Sequence, residues 1–193
     1  DHCKQYFATV KKHYEYFWQN GIPVDMVGPE SDLSKYTLVI APTLYMVSET
    51  LVQRFKDYVS AGGTLVATYL TGVVNETDLV YMGGLPGNMR DLFGIWAEEI
   101  DYLYNHEVSK LTANGLNKFK GDFELAHVCE VIHAEGATPV AVFANNDYYD
   151  AMPAVTRNDF GKGKAWYIGA EGKTQDLLMS FYADLVVELG IES

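Results

Sequence analysis

Between Leu65 and Asp78 the chain reads LVATYLTGVVNETD, an apolar run that enters a polar turn. In an α/β protein the turn after such a strand is a common place for a nucleophile or a phosphate cradle. A nucleophile elbow needs Ser or Cys between glycines, because the tight bend tolerates little bulk. The turn here is Tyr69-Leu70-Thr71-Gly72. Thr71 could serve as a nucleophile in principle, but no His follows at a defensible spacing, so capping or turn bonding is its expected role. Gly83-Gly84 and Gly161-Lys162-Gly163 lead into no helix, which a phosphate cradle requires, and are read as turns.

Other groups that could do chemistry are scattered. Glu98, Glu99 and Asp101 could pair as general acid and base across a substrate, although alternation along an exposed strand accounts for them more simply. His127 and His133 are six apart in a strand-like run, which puts them on one face if that strand is continuous. A paired metal site is conceivable there, but no metal or other cofactor is expected. Asn146, Asp147 and Asp150 with Tyr148 and Tyr149 make an acidic, aromatic loop that could meet a sugar or a cation, or be an ordinary solvated loop. Cys3 and Cys129 lie in no C-x-x-C pattern, so a disulfide framework and a zinc site are poorly supported.

The elements that must position these groups follow from periodicity. From Lys4 to Asn20, Tyr6, Phe7, Val10, Tyr14, Phe17 and Trp18 recur at three- and four-residue steps, predicting a helix with these residues inward, stopped by Gly21 and Pro23. PVDMV (23–27) reads as a short strand and TLVIAP (37–42) as a buried one. Ser48 is the expected N-cap of a helix with Leu51, Val52, Phe55 and Val59 inward, and TLVATY (64–69) follows Gly62-Gly63 as a strand. Helix, strand, strand, helix, strand with short links predicts a doubly wound α/β sheet. Beyond Asp78, MGGLPGNMRDLFGI is a glycine-rich surface excursion. Several short strands then include CEVIHAEG and TPVAVFAN, and AVTRNDF and KAWYIGA form a hairpin about Gly161-Lys162-Gly163. Thr174 is the expected cap of a last helix that turns Leu177, Leu178, Phe181, Leu185 and Leu189 inward. A doubly wound sheet normally opens on a strand, and Asp1, His2 and Cys3 cannot supply one, so the chain is expected to have been cut from a larger polypeptide.

The 193 residues suit a single domain without an internal repeat or linker. Lys and Arg number 14 against 26 Asp and Glu, a formal charge of −12 that argues against nucleic acid or an anionic membrane as partner. No apolar run approaches the ~18 residues needed to span a bilayer, and a reduced, cytoplasmic setting fits two unpatterned cysteines. The 26 aromatic residues, 14 of them Tyr, are of the kind concentrated in cores and interfaces.

The stretches GIPVDMVGPESDLSKYTLVIAPTLYMVSE, GGTLVATYLTGVVNETDLVYMGGLPGNMRDLFGI and AVTRNDFGKGKAWYIG together resemble the middle, trimerisation domain of glycoside hydrolase family 42 β-galactosidases. The likeness covers nearly the whole chain, and residues 62–95 are its most specific part. The resemblance implies a flavodoxin-like, class I glutamine-amidotransferase-like sheet, here lacking its first strand, with residues 1–193 as one domain. It implies that the catalytic glutamates belong to a (β/α)8 barrel outside this chain, so no catalytic residue carries over. β-Galactosides would be met only through that barrel. Related amidotransferases place Cys at the elbow, where this chain has Leu70-Thr71.

Two functions of different class remain open at this point: an oligomerisation module of a β-galactosidase, or an independent amidotransferase-like enzyme. A weaker third is a carbohydrate-binding module using Tyr148, Tyr149 and Trp166. For the first, the resemblance implies a trimer. The sequence offers Val80–Phe93, where Tyr81, Met82, Leu85, Met89 and Phe93 lie among glycines that permit close approach, with Tyr45 and Met46 as the complementary patch.

Overall fold

The structure is a computed structural model that describes residues 6–104, 106–115, 117–144 and 148–192. Its elements in chain order are α1 (Tyr6–Gln19), β1 (Leu38–Ala41), α2 (Glu49–Ser60), β2 (Thr64–Thr68), α3 (Arg90–Phe93), β3 (Ile95–Tyr102), β4 (Ser109–Ala113), β5 (Gly121–Ala134), β6 (Thr138–Phe143), β7 (Pro153–Phe160), β8 (Gly163–Ile168), β9 (Ala170–Gly172) and α4 (Asp176–Glu188). The strands form one mixed sheet in the order β1-β2-β8-β7-β6-β4-β5-β3, with β9 also paired to β5. β1, β2 and β8 run parallel, with Leu38 opposite Thr64 and Leu65 opposite Ala165, and the other pairings are antiparallel.

Helices cover both faces of the parallel part. β2 is buried along its length and sends Val66 to one face and Leu65 and Ala67 to the other, as the two-residue period of a strand requires. Val66 joins Trp166 of β8, Tyr16 and Phe17 of α1, and Phe181 and Tyr182 of α4. Leu65 and Ala67 join Val52, Phe55 and Val59 of α2, Leu92 and Phe93 of α3, and Tyr167 of β8. Each fully buried large side chain contributes about 1.5–3 kcal/mol, so these two clusters dominate the stability of this half of the sheet.

α2 forms as read, with Ser48 Oγ accepting from the Leu51 amide and Leu51, Val52, Phe55 and Val59 all buried. Three expectations change. PVDMV is not a strand: Val24, Met26 and Val27 are exposed, and none of these residues pairs in the described sheet. In α1 the inward face is His13, Tyr16 and Phe17, while Phe7 is 86% and Trp18 67% exposed. Aromatic residues ring this helix, so spacing alone could not select the buried stripe, and packing against Tyr182 of α4 decides it. Gln175, not Thr174, precedes α4 as N-cap and makes no side-chain cap bond. Its amide instead donates to Lys12 O at 3.2 Å and Glu15 Oε2 at 2.6 Å, tying α4 to α1. No described helix is long and apolar enough to cross a membrane.

Candidate contact surface

The turn after β2 has the backbone of an elbow without its chemistry. Tyr69 N–H donates to Ile168 O at 2.8 Å, which closes the end of β2 onto β8. Leu70 then adopts φ +60°, a left-handed conformation that costs a residue with a side chain about 1 kcal/mol or more. What holds it there is Glu130 of β5, whose Oε1 accepts from the Leu70 amide at 2.7 Å. The other carboxyl oxygen accepts from the Tyr167 hydroxyl at 2.8 Å. Glu130 is fully buried, and that burial pushes its carboxyl up to about 7, against the pull of those two donors. Tyr167, facing it, is raised well above the ordinary tyrosine value by the same burial and by the carboxylate.

Thr71 is buried, and its hydroxyl accepts from the Leu44 amide at 3.3 Å, so its oxygen ties two loops together. Cys129 is buried beside Glu130, and its thiol is pushed up to about 12 by burial, the reverse of what a nucleophile needs. Sequence reading missed Glu130. The signal was present in VCEVI, one carboxylate inside an apolar strand.

From the turn the chain passes to the surface as a small ladder. Gly72 N–H donates to Leu44 O at 2.9 Å, and Val73 and Val74 donate to Tyr45 O at 2.9 and 3.1 Å. Val74 bridges to Met46 on one side and to Val80 on the other, so Met46, Val74 and Val80 lie side by side. Tyr81 is half-buried, with its hydroxyl donating to Val47 O at 2.8 Å. On this frame Tyr45 and Met46 are about half exposed, Leu79 and Val80 more so, and Met82 is 96% exposed. The result is a set of exposed apolar side chains carried on one hydrogen-bonded backbone frame.

Leu85 and Met89 do not belong to it. Leu85 exchanges backbone hydrogen bonds with Ala97 of β3 at 2.9 and 3.0 Å, which turns its side chain under the sheet. It is buried with Met89, Leu92, Phe93 and Ile95 in the domain's own core. The candidate surface is thus narrower than the sequence suggested, keeps Val80 and gains Leu79.

The remaining candidates are spent on local structure. Glu98 pairs with His133 at 2.8 Å, and Asp101 accepts from the Tyr149 hydroxyl at 2.8 Å, so these carboxylates have different partners. His127 has φ +61° at an irregular stretch of β5, which breaks the continuity that would have aligned it with His133. His133 stacks on Trp96 with ring centres 4.8 Å apart. No group of metal-ligating side chains occurs among the described residues. Tyr149 and Trp166 are wholly buried and unavailable as a sugar platform, and Asn146 and Asp147 lie outside the described residues.

Comparison with known proteins gives consistent matches over nearly the whole chain. A family model described as the β-galactosidase trimerisation domain matches residues 2–192. β-Galactosidase Pbg of Clostridium perfringens is 42% identical over 191 residues, which are 98% of this chain and 27% of that protein. β-Galactosidase BglY of Alicyclobacillus acidocaldarius is 45% identical over 190 residues, 96% of this chain and 27% of that one. Among solved structures, a β-galactosidase from Rahnella sp. R3 superposes with TM-score 0.91 at 42% identity, over 96% of this chain and 27% of the other. One from Bacillus circulans sp. alkalophilus gives 0.92 at 39% identity, over 97% and 28%. The chain thus spans about 27% of the length of these relatives. With the match running from residue 2 to residue 192, the chain belongs to the family of β-galactosidase trimerisation domains.

Proposed function

We propose that this chain is the self-association module of a longer β-galactosidase, that it assembles as a trimer, and that hydrolysis of terminal β-galactosides is carried out by other parts of that polypeptide. Residues 1–193 act as one domain in this reading. The observation that carries it is the strip formed by Tyr45, Met46, Leu79, Val80 and Met82: a 96% exposed Met82 beside four more exposed apolar side chains is costly to leave in water. A threefold contact is heterologous, so the strip meets a different surface on the next subunit.

The finer likeness to a flavodoxin-like, amidotransferase-like architecture belongs to the same proposal. It is supported by three parallel strands covered on both faces and by a left-handed residue at the end of β2. An independent amidotransferase has no support, since Leu70 at that bend carries no nucleophilic atom. The net charge of −12 further disfavours nucleic acid as a partner.

Retaining glycoside hydrolysis needs two carboxyl groups held about 5 Å apart on a rigid frame. Glu98 and Asp101 are engaged with separate partners, and Glu130 is sealed in the core. The purified chain should therefore give no turnover of a chromogenic β-galactoside above a mock preparation. Turnover that scales with the amount of chain would overturn the assignment of catalysis to other parts of the polypeptide.

A further inference from the structure

β1 ends the sheet, and its outer edge is apolar and unpaired. Thr64 N–H donates to Thr37 O at 3.1 Å, and Leu38 stands opposite Thr64 in the register. Backbone groups alternate sides along a parallel strand, so Thr37, Val39 and Ala41 face β2, and Leu38 and Ile40 turn their N–H and C=O away from it. β1 pairs with β2 alone among the described strands, and the backbone of neither Leu38 nor Ile40 bonds outward to a described residue. The open stretch has definite ends. Pro42 has no N–H to offer, and Tyr36 O already accepts from the Tyr58 hydroxyl at 3.0 Å.

The side chains of β1 match this backbone. Leu38 and Ile40 pack against the core that holds Tyr16 and Phe17 of α1, and Val39 and Ala41 pack against the core of α2. All four are only half-buried, whereas β2 beside them is buried throughout. Natural sheet edges are guarded by charge, by Pro or by a bulge, and Leu38–Ala41 contains none of these. A second stretch lacks a neighbour in the same place. Asp25 Oδ2 accepts from the Tyr36 hydroxyl at 2.9 Å, which holds PVDMV near the start of β1, and Val24, Met26 and Val27 are exposed there with no strand partner among the described residues.

We propose that β1 is a strand-accepting edge: an extended segment of the longer polypeptide, apolar on both faces and lying outside these 193 residues, pairs with it through Leu38 and Ile40. This rests on the reading of the chain as a module of such a polypeptide. The relatives leave ample length for the segment, since the chain spans about 27% of each. Its side chains are apolar on both faces because the added strand continues between the same two cores, and its main chain supplies the binding, as in other cases of strand addition. A second copy is the poorer occupant. Two β1 edges would meet about a twofold axis, which does not build a threefold assembly.

Hydrogen–deuterium exchange of the β1 amides in the full-length polypeptide, corrected for intrinsic rates, tests the pairing. Val39 and Ala41 face β2 and serve as the internal standard. Leu38 and Ile40 should be protected to within about tenfold of them, because all four then lie inside a ladder. In the 193-residue chain the same two amides should exchange faster on the order of a hundredfold or more. Leu38 and Ile40 that exchange in the full-length polypeptide as fast as free amides overturn the proposal. So does protection of both in the 193-residue chain, and protection there that grows with concentration assigns the edge to a second copy. Met82→Asp in the full-length polypeptide provides the separate arm for the self-association reading. Association that survives it removes the exposed side chains around Met82 as the contact, while exchange at Leu38 and Ile40 alone decides the role of β1.

Discussion

Two buried titratable side chains give this domain opposite responses to pH. Glu130 is held above its ordinary range, so its contribution is complete below 4.5 and lost as pH rises through about 7. His13 of α1 is the reverse case. Buried against the Tyr182 hydroxyl, it is pushed from 6.5 down to about 3, chiefly by burial and secondarily by Lys12, so folding requires it neutral. Its contribution is complete above 6.5 and lost as pH falls toward 3. Between 4.5 and 6.5 the two slopes cancel, one proton against one. The wild-type chain should therefore show nearly constant unfolding free energy from pH 5 to pH 6.5. Glu130→Gln should gain on the order of 2 kcal/mol over that interval, because only the histidine slope remains. Urea denaturation at three or four pH values measures it, and a flat profile for the variant would refute the pairing. Exposed pairs such as Lys173 with Glu124 are screened by solvent and add little to either slope.

Elements depend on how closely backbones approach, which is clearest where β8 begins. A Cβ added at Gly163 would lie 2.2 Å from Gly63 O and 2.3 Å from Val59 O, the end of α2 and the link into β2. Both are backbone atoms and cannot swing aside. Gly163→Ala should cost about 1–3 kcal/mol or more through forced separation of α2 and β8. At Gly28 nothing lies within 4 Å of an added Cβ, so Gly28→Ala should be close to neutral. Thermal unfolding of the pair separates the mechanisms, and equal midpoints would mean that α2 and β8 do not need this approach.

The legibility of the sequence divides along the same physical line. Ser48, with Leu51, Val52, Phe55 and Val59, was readable because a local cap and a single apolar stripe agree. The β7–β8 hairpin was readable because Gly161, at φ +61°, occupies a turn that excludes most side chains. The inward face of α1 was not readable, since Tyr6, Phe7, Tyr14 and Trp18 are as apolar as the Tyr16 and Phe17 that tertiary contact buries. PVDMV alternates like a strand, but a strand exists only where a neighbour accepts its hydrogen bonds, and these residues have none in the described sheet. At the proposed contact surface, Tyr45, Met46 and Met82 were legible as exposed apolar residues. Leu85 and Met89 looked identical to them, and only the bridge from Leu85 to Ala97, fixed by residues far along the chain, turns that segment inward.

At the scale of the whole molecule, the parts serve assembly. The two cores make the parallel strands rigid, the Leu70 turn ties β2 to the loop bearing Tyr45 and Met46, and the ladder through Val74 sets Val80 alongside Met46. The strip is thus a preorganised face, and a partner that binds it loses little conformational freedom in doing so. The central claim is that this face holds copies of the chain together. Its most direct test is sedimentation velocity of the full-length polypeptide carrying Met46→Asp and Met82→Asp together. Met82 is almost wholly exposed and Met46 about half, so the domain should keep its circular dichroism and most of its unfolding midpoint. Two unpaired charges in a desolvated contact cost about 3 kcal/mol or more each, and the assembly should dissociate to monomers at micromolar concentration. A sedimentation coefficient unchanged from that of the wild-type assembly, with the fold intact, would contradict the account and place the contact elsewhere on the domain.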